Sequence, residues 1–463
     1  MSRTLQDVRT PPSEGSLQPD RAALPRAADD PGGRKRVVIV GGGFGGVAAA
    51  RALARSEADV TLIDQRNHHI FQPLLYQVAT AVLAPSEIAA PIRYLMSREK
   101  NLGVLLGEAT GVDLDARTVA VNCPGVGARN VPFDFLVIAT GMRPSYFGHD
   151  EFARYAPGLK SLTDAETIRT KILSAYELAD ATDDENVRAR AMTFVLVGAG
   201  PSGVELAASL AQMATLTLRK QFRRIDTAES AILLIEGGAR ILPTFAESLA
   251  EKAARRLEKL GVKIMTGVRV EMVDENGVVA NGERIASATV MWTAGVAASP
   301  LVKLLGGKTD RAGRAAVGPF MDVEGAPGVF VVGDASSVMR DGRPVPGVAQ
   351  AAIQQGRYVG RLISRQLEGH EPKRPFRYFD KGNMAVVGKN FAILESGRLR
   401  TSGFLTWLAW VFLHLMSLPQ LQNRLRVQRQ WLWSYFTGQR SSRLIPEPPA
   451  APQEQRRRMD TSP

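Results

Sequence analysis

A chain of 463 residues, 45% hydrophobic and 22% charged, has the composition of a globular protein long enough for two or three domains, which excludes a disordered or fibrous class for its bulk. One cysteine, Cys123, and five histidines exclude an intramolecular disulfide, a CxxC pair and a cysteine-rich zinc or iron–sulfur centre, so no metal site is expected and redox chemistry would need an organic cofactor. Of the net charge of +12, +9 lies between His370 and the C-terminus, where 15 Lys and Arg face 6 Asp and Glu, a bias suited to nucleic acid or to a membrane leaflet.

Residues 1–33 carry Pro, Asp, Arg and Ser without apolar periodicity and read as a disordered extension rather than a secretory signal. Order begins at Arg36–Val40, a β-branched run typical of a strand buried on both faces. A glycine turn, Gly41 to Gly46, then leads into an alanine-rich helix expected over Val47–Ser56 and a strand, Asp59–Asp64. The same order recurs about 150 residues later, with strand Thr193–Val197, turn Gly198 to Gly203, a helix expected over Val204–Met213 and strand Ala231–Glu236. Strands at Phe133–Ala139 and Thr289–Trp292 close the two units, ending in Thr140-Gly141 and in Thr293-Ala294-Gly295. Val329–Val332 leads into Gly333-Asp334-Ala335, and residues 349–367 read as a Gln-rich helix. Past about Pro375 the composition turns to Trp, Leu, Phe and Arg, and from 446 to the end Pro and Arg mark a disordered tail.

Each glycine turn has GxGxxG spacing between a strand and a helix. The first glycine permits the turn, the second lets backbone approach a pyrophosphate, and the third lets the helix pack closely on its strand. The phosphates would then meet the helix N-terminus, where free N–H groups favour anions. Asp64 and Glu236 end the following strands, where a carboxylate accepts from a ribose diol. The second acid lies farther along than usual because a Lys- and Arg-rich insert, Leu216–Ala228, precedes its strand. An acid there repels a 2′-phosphate and argues for NADH over NADPH, while nearby Arg240 argues the other way. Two dinucleotide sites in one chain imply electron transfer between two dinucleotides, most economically NADH and non-covalent FAD.

On these units the sequence resembles the type II NADH dehydrogenases, the non-pumping NADH:quinone oxidoreductases, within the pyridine nucleotide-disulfide oxidoreductase-like group. The likeness is carried by Phe71–Thr80 (FQPLLYQVAT), Ala139-Thr140-Gly141, Gly203-Val204-Glu205, Trp292–Gly295, Gly333–Ala335 and Ala349–Gly356 (AQAAIQQG), and it spans roughly residues 34–445. It implies an α/β fold of two Rossmann-like dinucleotide-binding domains of the three-layer ββα type, followed by a C-terminal membrane-associating helical segment. In this division residues 34–150 and 319–375 form the FAD-binding domain, 151–318 the NADH-binding domain, and 376–445 a membrane-binding or dimerisation segment, with 1–33 and 446–463 as extensions.

The resemblance also implies roles. Gly41, Gly43, Gly46 and Asp64 would hold the ADP half of FAD, with Thr140 and Gly141 beside it. Asp334 would meet the ribityl chain, with Ala335 next to it, and the start of the 349–356 helix would face the flavin. Gly198, Gly200, Gly203, Glu236 and Gly295 would serve NADH. Glu205 would lie near nicotinamide and flavin, either as a proton-handling group or as an ordinary acid of a first helical turn. Gln350 and Gln354 would flank the quinone headgroup, solvated helix glutamines being the alternative. Cys123, expected in a loop, departs from relatives that use cysteine pairs and is read as inert.

Phe404–Leu418 is apolar nearly all round, yet about 15 residues make roughly 22 Å of helix against ~30 Å of hydrocarbon, too short to span comfortably. Arg424, Arg426 and Arg429, then Trp431, Trp433, Tyr435 and Phe436, follow Pro419 in the pattern of a headgroup-layer segment. A buried helix or a homodimer interface is the alternative, and an interface and a membrane contact can coexist. The aromatics adjoin an apolar run instead of alternating along a charged groove, which argues against nucleic acid. The expected protein is a peripheral enzyme on the cytoplasmic face of the inner (plasma) membrane. Its rivals are an NADH-dependent ferredoxin or rubredoxin reductase and an NADH-sensing interaction module.

Overall fold

The computed structural model describes residues 33–340, 342–371 and 374–446. The extensions expected at 1–33 and 446–463 lie, apart from their innermost residues, outside them. Strands β1 (Lys35–Val40), β2 (Ala58–Asp64), β3 (Leu102–Leu106) and β4 (Phe135–Ile138) run parallel, with helix α1 (Phe44–Leu53) crossing from β1 to β2 and the short helix α2 (Leu75–Ala79) following β2. Val37 to Val40 are all buried, so the strand shows an apolar run and no alternation.

Helix α3 (Leu162–Ala181), opened by a Ser161/Asp164 capping box, leads to the second unit. Its four-stranded parallel sheet has the order β7–β6–β5–β8, from β5 (Thr193–Val197), β6 (Ala231–Glu236), β7 (Val262–Thr266) and β8 (Thr289–Trp292). Helix α4 (Pro201–Gln212) follows β5 and α5 (Glu247–Lys259) precedes β7. The chain then returns to the first sheet through β9 (Asp322–Val323) and β10 (Ala326–Val331), completing the order β9–β10–β4–β1–β2–β3. Each of these two sheets, the first with an antiparallel edge strand in β9, is accompanied by a three-stranded antiparallel one, at 108–132 and at 270–286. Cys123 ends a strand of the first of these, buried, rather than standing in a loop.

Helix α6 (Ala349–Leu367) lies against α1 along small residues, since a Cβ on Gly356 would fall 2.1 Å from the Gly45 carbonyl oxygen. An antiparallel sheet follows, β11 (Asn383–Val386), β12 (Ala392–Ser396) and β13 (Leu399–Gly403), then α7 (Phe404–Ser417) and α8 (Leu421–Thr437). Trp410, Leu418 and Val427 join the core that contains α2, α4 and α5. Leu405, Phe412, Leu421, Trp433 and Phe436 stay exposed. Among the described residues no helix is long and apolar enough to cross a membrane.

Both glycine-turn helices start three residues before the expected points. Gly43 and Gly200 are the N-caps of α1 and α4, so the last glycine of each motif already belongs to the first turn. It tolerates helix there because the packing leaves no room for a side chain. A Cβ at Gly46 would sit 1.8 Å from the Gly41 oxygen, and one at Gly203 would sit 1.9 Å from the Gly198 oxygen.

Candidate functional site

Two cavities of similar size meet different parts of the chain. The first, 620 Å³, is walled by the Gly41–Gly45 turn, Asp64, Thr140, Gly141, Gly333, Asp334, Ala349 and Ala352. Gly41 has φ +109° and passes so close to Ala139 that a Cβ would be 2.4 Å from its carbonyl oxygen, whereas a Cβ on Gly43 would meet nothing within 4 Å. Gly41 and Gly46 are therefore required by the fold, while Gly43 keeps the backbone bare toward the cavity. The Asp64 carboxylate accepts from the Gly42 N–H at 2.6 Å and from the Arg66 N–H at 2.7 Å, which fixes its plane and leaves lone pairs for a diol.

Three polar groups in this wall have no hydrogen-bond partner among the described residues, the buried His68 Nε2 being one. The Thr140 hydroxyl is buried without one, and the Asp334 carboxylate accepts no hydrogen bond among the described residues. Burial raises the Asp334 pKa, against the fields of Lys160 and Arg314. The first turn of α6 adds uncapped N–H groups, since Val348 offers no side-chain cap. A bare glycine turn, a fixed carboxylate, a helix N-terminus and unpaired polar groups fit a dinucleotide.

The second cradle repeats the first. A Cβ on Gly198 would be 2.5 Å from the Ala294 nitrogen, and one on Gly200 would meet nothing within 4 Å. Glu236 accepts from Ala199 and Gly238 N–H groups, both at 2.8 Å. Arg240 donates to the Leu242 and Pro243 carbonyl oxygens, so its guanidinium is committed to backbone. Gly295 lets the 145–147 loop pass, its Cβ position lying 2.8 Å from the Ser145 oxygen. Ser202 of this unit lines the first cavity, which brings α4 to the first cradle. Ala335 is fully buried behind Asp334.

Gln350 and Gln354 stand on α6, as expected, and both side chains turn to the backbone of residues 379–382. The Gln354 amide donates to the Phe379 oxygen and accepts from the Phe379 N–H, both at 2.9 Å, and the Gln350 amide is closed in the same way on Lys381 and Gly382. Neither lines a cavity described here. They clamp the segment between α6 and β11. Gln355, which the sequence reading passed over, is buried and accepts from the Gly333 N–H at 2.6 Å, tying α6 to the Asp334 turn. Its signal was its place in the apolar stripe of Ala351, Ala352, Val359 and Leu362.

The second cavity, 600 Å³, lies between α2, α4, α7 and α8. Its rim carries the exposed apolar side chains Leu216, Phe404, Leu408, Phe412, Leu432 and Phe436. Its polar lining includes Glu205, Tyr76, Gln77, Ser209 and Arg440. Glu205 thus reaches this cavity and is absent from the lining of the first. Burial pushes its pKa up to about 8, eased by the Val386 N–H at 3.3 Å, so near neutral pH it holds a proton. Arg440, which the sequence pattern groups with the headgroup-layer arginines, is buried and donates to the Thr80 oxygen at 2.7 Å and the Ser209 oxygen at 2.9 Å. It pins the chain end after α8 onto α2 and α4.

Two dinucleotide cradles beside an apolar, surface-opening cavity define an oxidoreductase that joins a nucleotide to an apolar substrate. The sequence profile of the pyridine nucleotide-disulphide oxidoreductases matches residues 35–356. The chain is 43% identical over 427 residues to the type II NADH:quinone oxidoreductase NdhA of Mycobacterium tuberculosis, covering 89% of this chain and 90% of that one. It is 41% identical over 423 residues to Ndh of the same organism, with the same coverage. The solved structure of NDH2 from Plasmodium falciparum in complex with NADH has the same fold, with a TM-score of 0.78 at 19% identity over 89% of this chain and all of that one. The chain belongs to the pyridine nucleotide-disulphide oxidoreductase family and, within it, to the type II NADH:quinone oxidoreductases. The resemblance and fold class read from the sequence hold, although the single Cys123 leaves this member without the cysteine pair of the family's name.

Proposed function

We propose that this chain oxidises NADH and reduces a membrane quinone without pumping protons, using FAD held non-covalently in the first cavity. The observation that carries the reading is the second cavity, apolar at an exposed rim and polar at its floor, in a chain with two dinucleotide cradles. When bound, FAD supplies the two-electron relay between nucleotide and quinone. Gly41, Gly43, Gly46 and Asp64 would hold its adenylate half, Thr140, Gly141, Asp334 and Ala335 the remainder, and the start of α6 would favour negative charge on the reduced ring. Gly198, Gly200, Gly203, Glu236 and Gly295 would hold NADH. Protonated Glu205 stands in the apolar cavity with a proton to give at the point where a quinone needs two.

The rim would lie in the cytoplasmic leaflet, with Arg426 and Arg429 of α8 and the exposed Arg219, Lys220 and Arg223 of the basic insert meeting anionic headgroups. The insert is fastened to this face, since the Thr217 hydroxyl donates to the Gly438 oxygen at 2.9 Å. A homodimer would use the same exposed helices. An iron–sulfur carrier as acceptor would have no use for the apolar mouth. The test is a detergent-purified sample. FAD content with NADH oxidation that depends on added quinone supports the reading, and turnover only with a protein carrier rejects it.

A further inference from the structure

The floor of the second cavity contains a chain of hydrogen bonds whose direction can be read without ambiguity. The indole Nε1–H of Trp431, on α8, can only donate, and it lies 2.7 Å from one terminal atom of the Gln77 side chain. That atom must be the carbonyl Oε1. The other terminal atom is therefore Nε2, a donor, and it lies 2.9 Å from the Tyr76 hydroxyl oxygen. Tyr76 accepts this bond, so its own O–H hydrogen is left over. No acceptor for that hydrogen is found among the described residues, although Tyr76 is only 6% exposed and lines the cavity. A buried donor without a partner is costly, and it is satisfied only by something that enters the cavity.

From this direction of bonding we infer that the Tyr76 O–H binds a carbonyl oxygen of the quinone, and that Trp431, through Gln77, is a positioning residue that holds the hydroxyl in its donor sense. The inference rests on the functional reading above and names an atom for it. It also explains why a side chain of the lipid-facing helix α8 reaches back to α2: the donor is set only when α8 is seated. Burial and the neighbouring Glu205 raise the pKa of Tyr76, so the hydroxyl keeps its hydrogen across the working pH range. The bond is a hydrogen bond throughout and transfers no proton from Tyr76.

The experiment uses the full-length, FAD-loaded enzyme in detergent, with a short-chain ubiquinone and, in parallel, ferricyanide as a soluble acceptor. Tyr76→Phe keeps the ring and removes the donor, and kcat/KM for the quinone should fall about 10-fold, with the ferricyanide rate and the KM for NADH unchanged. Trp431→Phe should lower the same constant by a smaller factor. In the double variant the loss should equal that of Tyr76→Phe alone, because Trp431 acts only through that hydroxyl. Additive losses would assign Trp431 to packing and overturn the positioning role. Unchanged quinone kinetics in Tyr76→Phe would overturn the donor assignment. Should Tyr76→Phe lose FAD, a normal quinone constant in a well-loaded Trp431→Phe enzyme would still refute the relay. If the unmodified enzyme ignores quinone, the functional reading falls and takes the assignment with it.

Discussion

Asp64 and Glu236 hold their cradles by one device: one carboxylate oxygen caps the glycine turn and the other an N–H two residues on. In Glu236→Gln one of the two oxygens becomes an NH2 facing an N–H donor, so that contact is lost, and with it a negative charge that would repel a 2′-phosphate. The preference for NADH over NADPH, measured as the ratio of kcat/KM values, should narrow by about 10-fold. Equal use of both nucleotides by the unmodified enzyme would contradict the assignment. Glu205 makes a different prediction. Its pKa of about 8 lies above the ordinary 4.5, so the folded chain keeps a proton that the unfolded chain releases. The stability that comes from keeping it neutral is complete below about pH 4.5 and is lost as pH rises through about 8. Glu205→Gln, neutral at every pH, should gain on the parent in thermal melts as pH is raised across that window, and the gap should level off above it. In the same variant the quinone-linked rate should lose an inflection near pH 8.

At the level of elements, the two glycines Gly43 and Gly46 separate folding from binding. Gly46→Ala drives a Cβ into the Gly41 oxygen and should destabilise the apoprotein by about 1–3 kcal/mol or more. Gly43→Ala meets open space, so urea melts of the apoprotein should stay within ~0.5 kcal/mol of the parent while less FAD survives gel filtration. What the sequence disclosed follows the same division. Strand, glycine turn, helix and terminal acid were legible because the turn demands those residue types at fixed places. The helix starts were misread because Gly45 and Gly46 look like loop residues until the packing around them is known. The AQAAIQQG segment announced its helix but not its rotation, and rotation alone decides that Gln355 faces the Asp334 turn while Gln350 and Gln354 clamp the 379–382 backbone. Replacing Gln354 by Leu should accordingly cost about 0.5–1.5 kcal/mol of stability and leave quinone kinetics near the parent's. Nothing local marks Arg440, whose partners Thr80 and Ser209 lie 360 and 231 residues away.

At the scale of the whole molecule, the C-terminal helices are at once part of the core and its most apolar surface, which decides how membrane binding can be tested. Deleting everything after Gly403 would strip Trp410, Leu418 and Val427 from the core and leave the sites of Arg440 and Trp431 open, so loss of the membrane-bound form would say little about anchoring. The outward face can be changed without touching that packing. Leu405, Phe412 and Phe436 are 79%, 68% and 80% exposed, and burying each side chain in a bilayer is worth about 1.5–3 kcal/mol. Replacing all three with Gln should move the protein from the membrane pellet to the supernatant, with FAD content and ferricyanide reduction retained and quinone reduction in vesicles depressed. Arg426→Gln with Arg429→Gln should act differently, weakening binding to phosphatidylserine vesicles by about 1 kcal/mol per charge at low salt, with little effect on neutral vesicles. If the triple variant still pellets but elutes as a smaller species than the parent in detergent, these side chains join two copies of the chain and the membrane contact lies on another face.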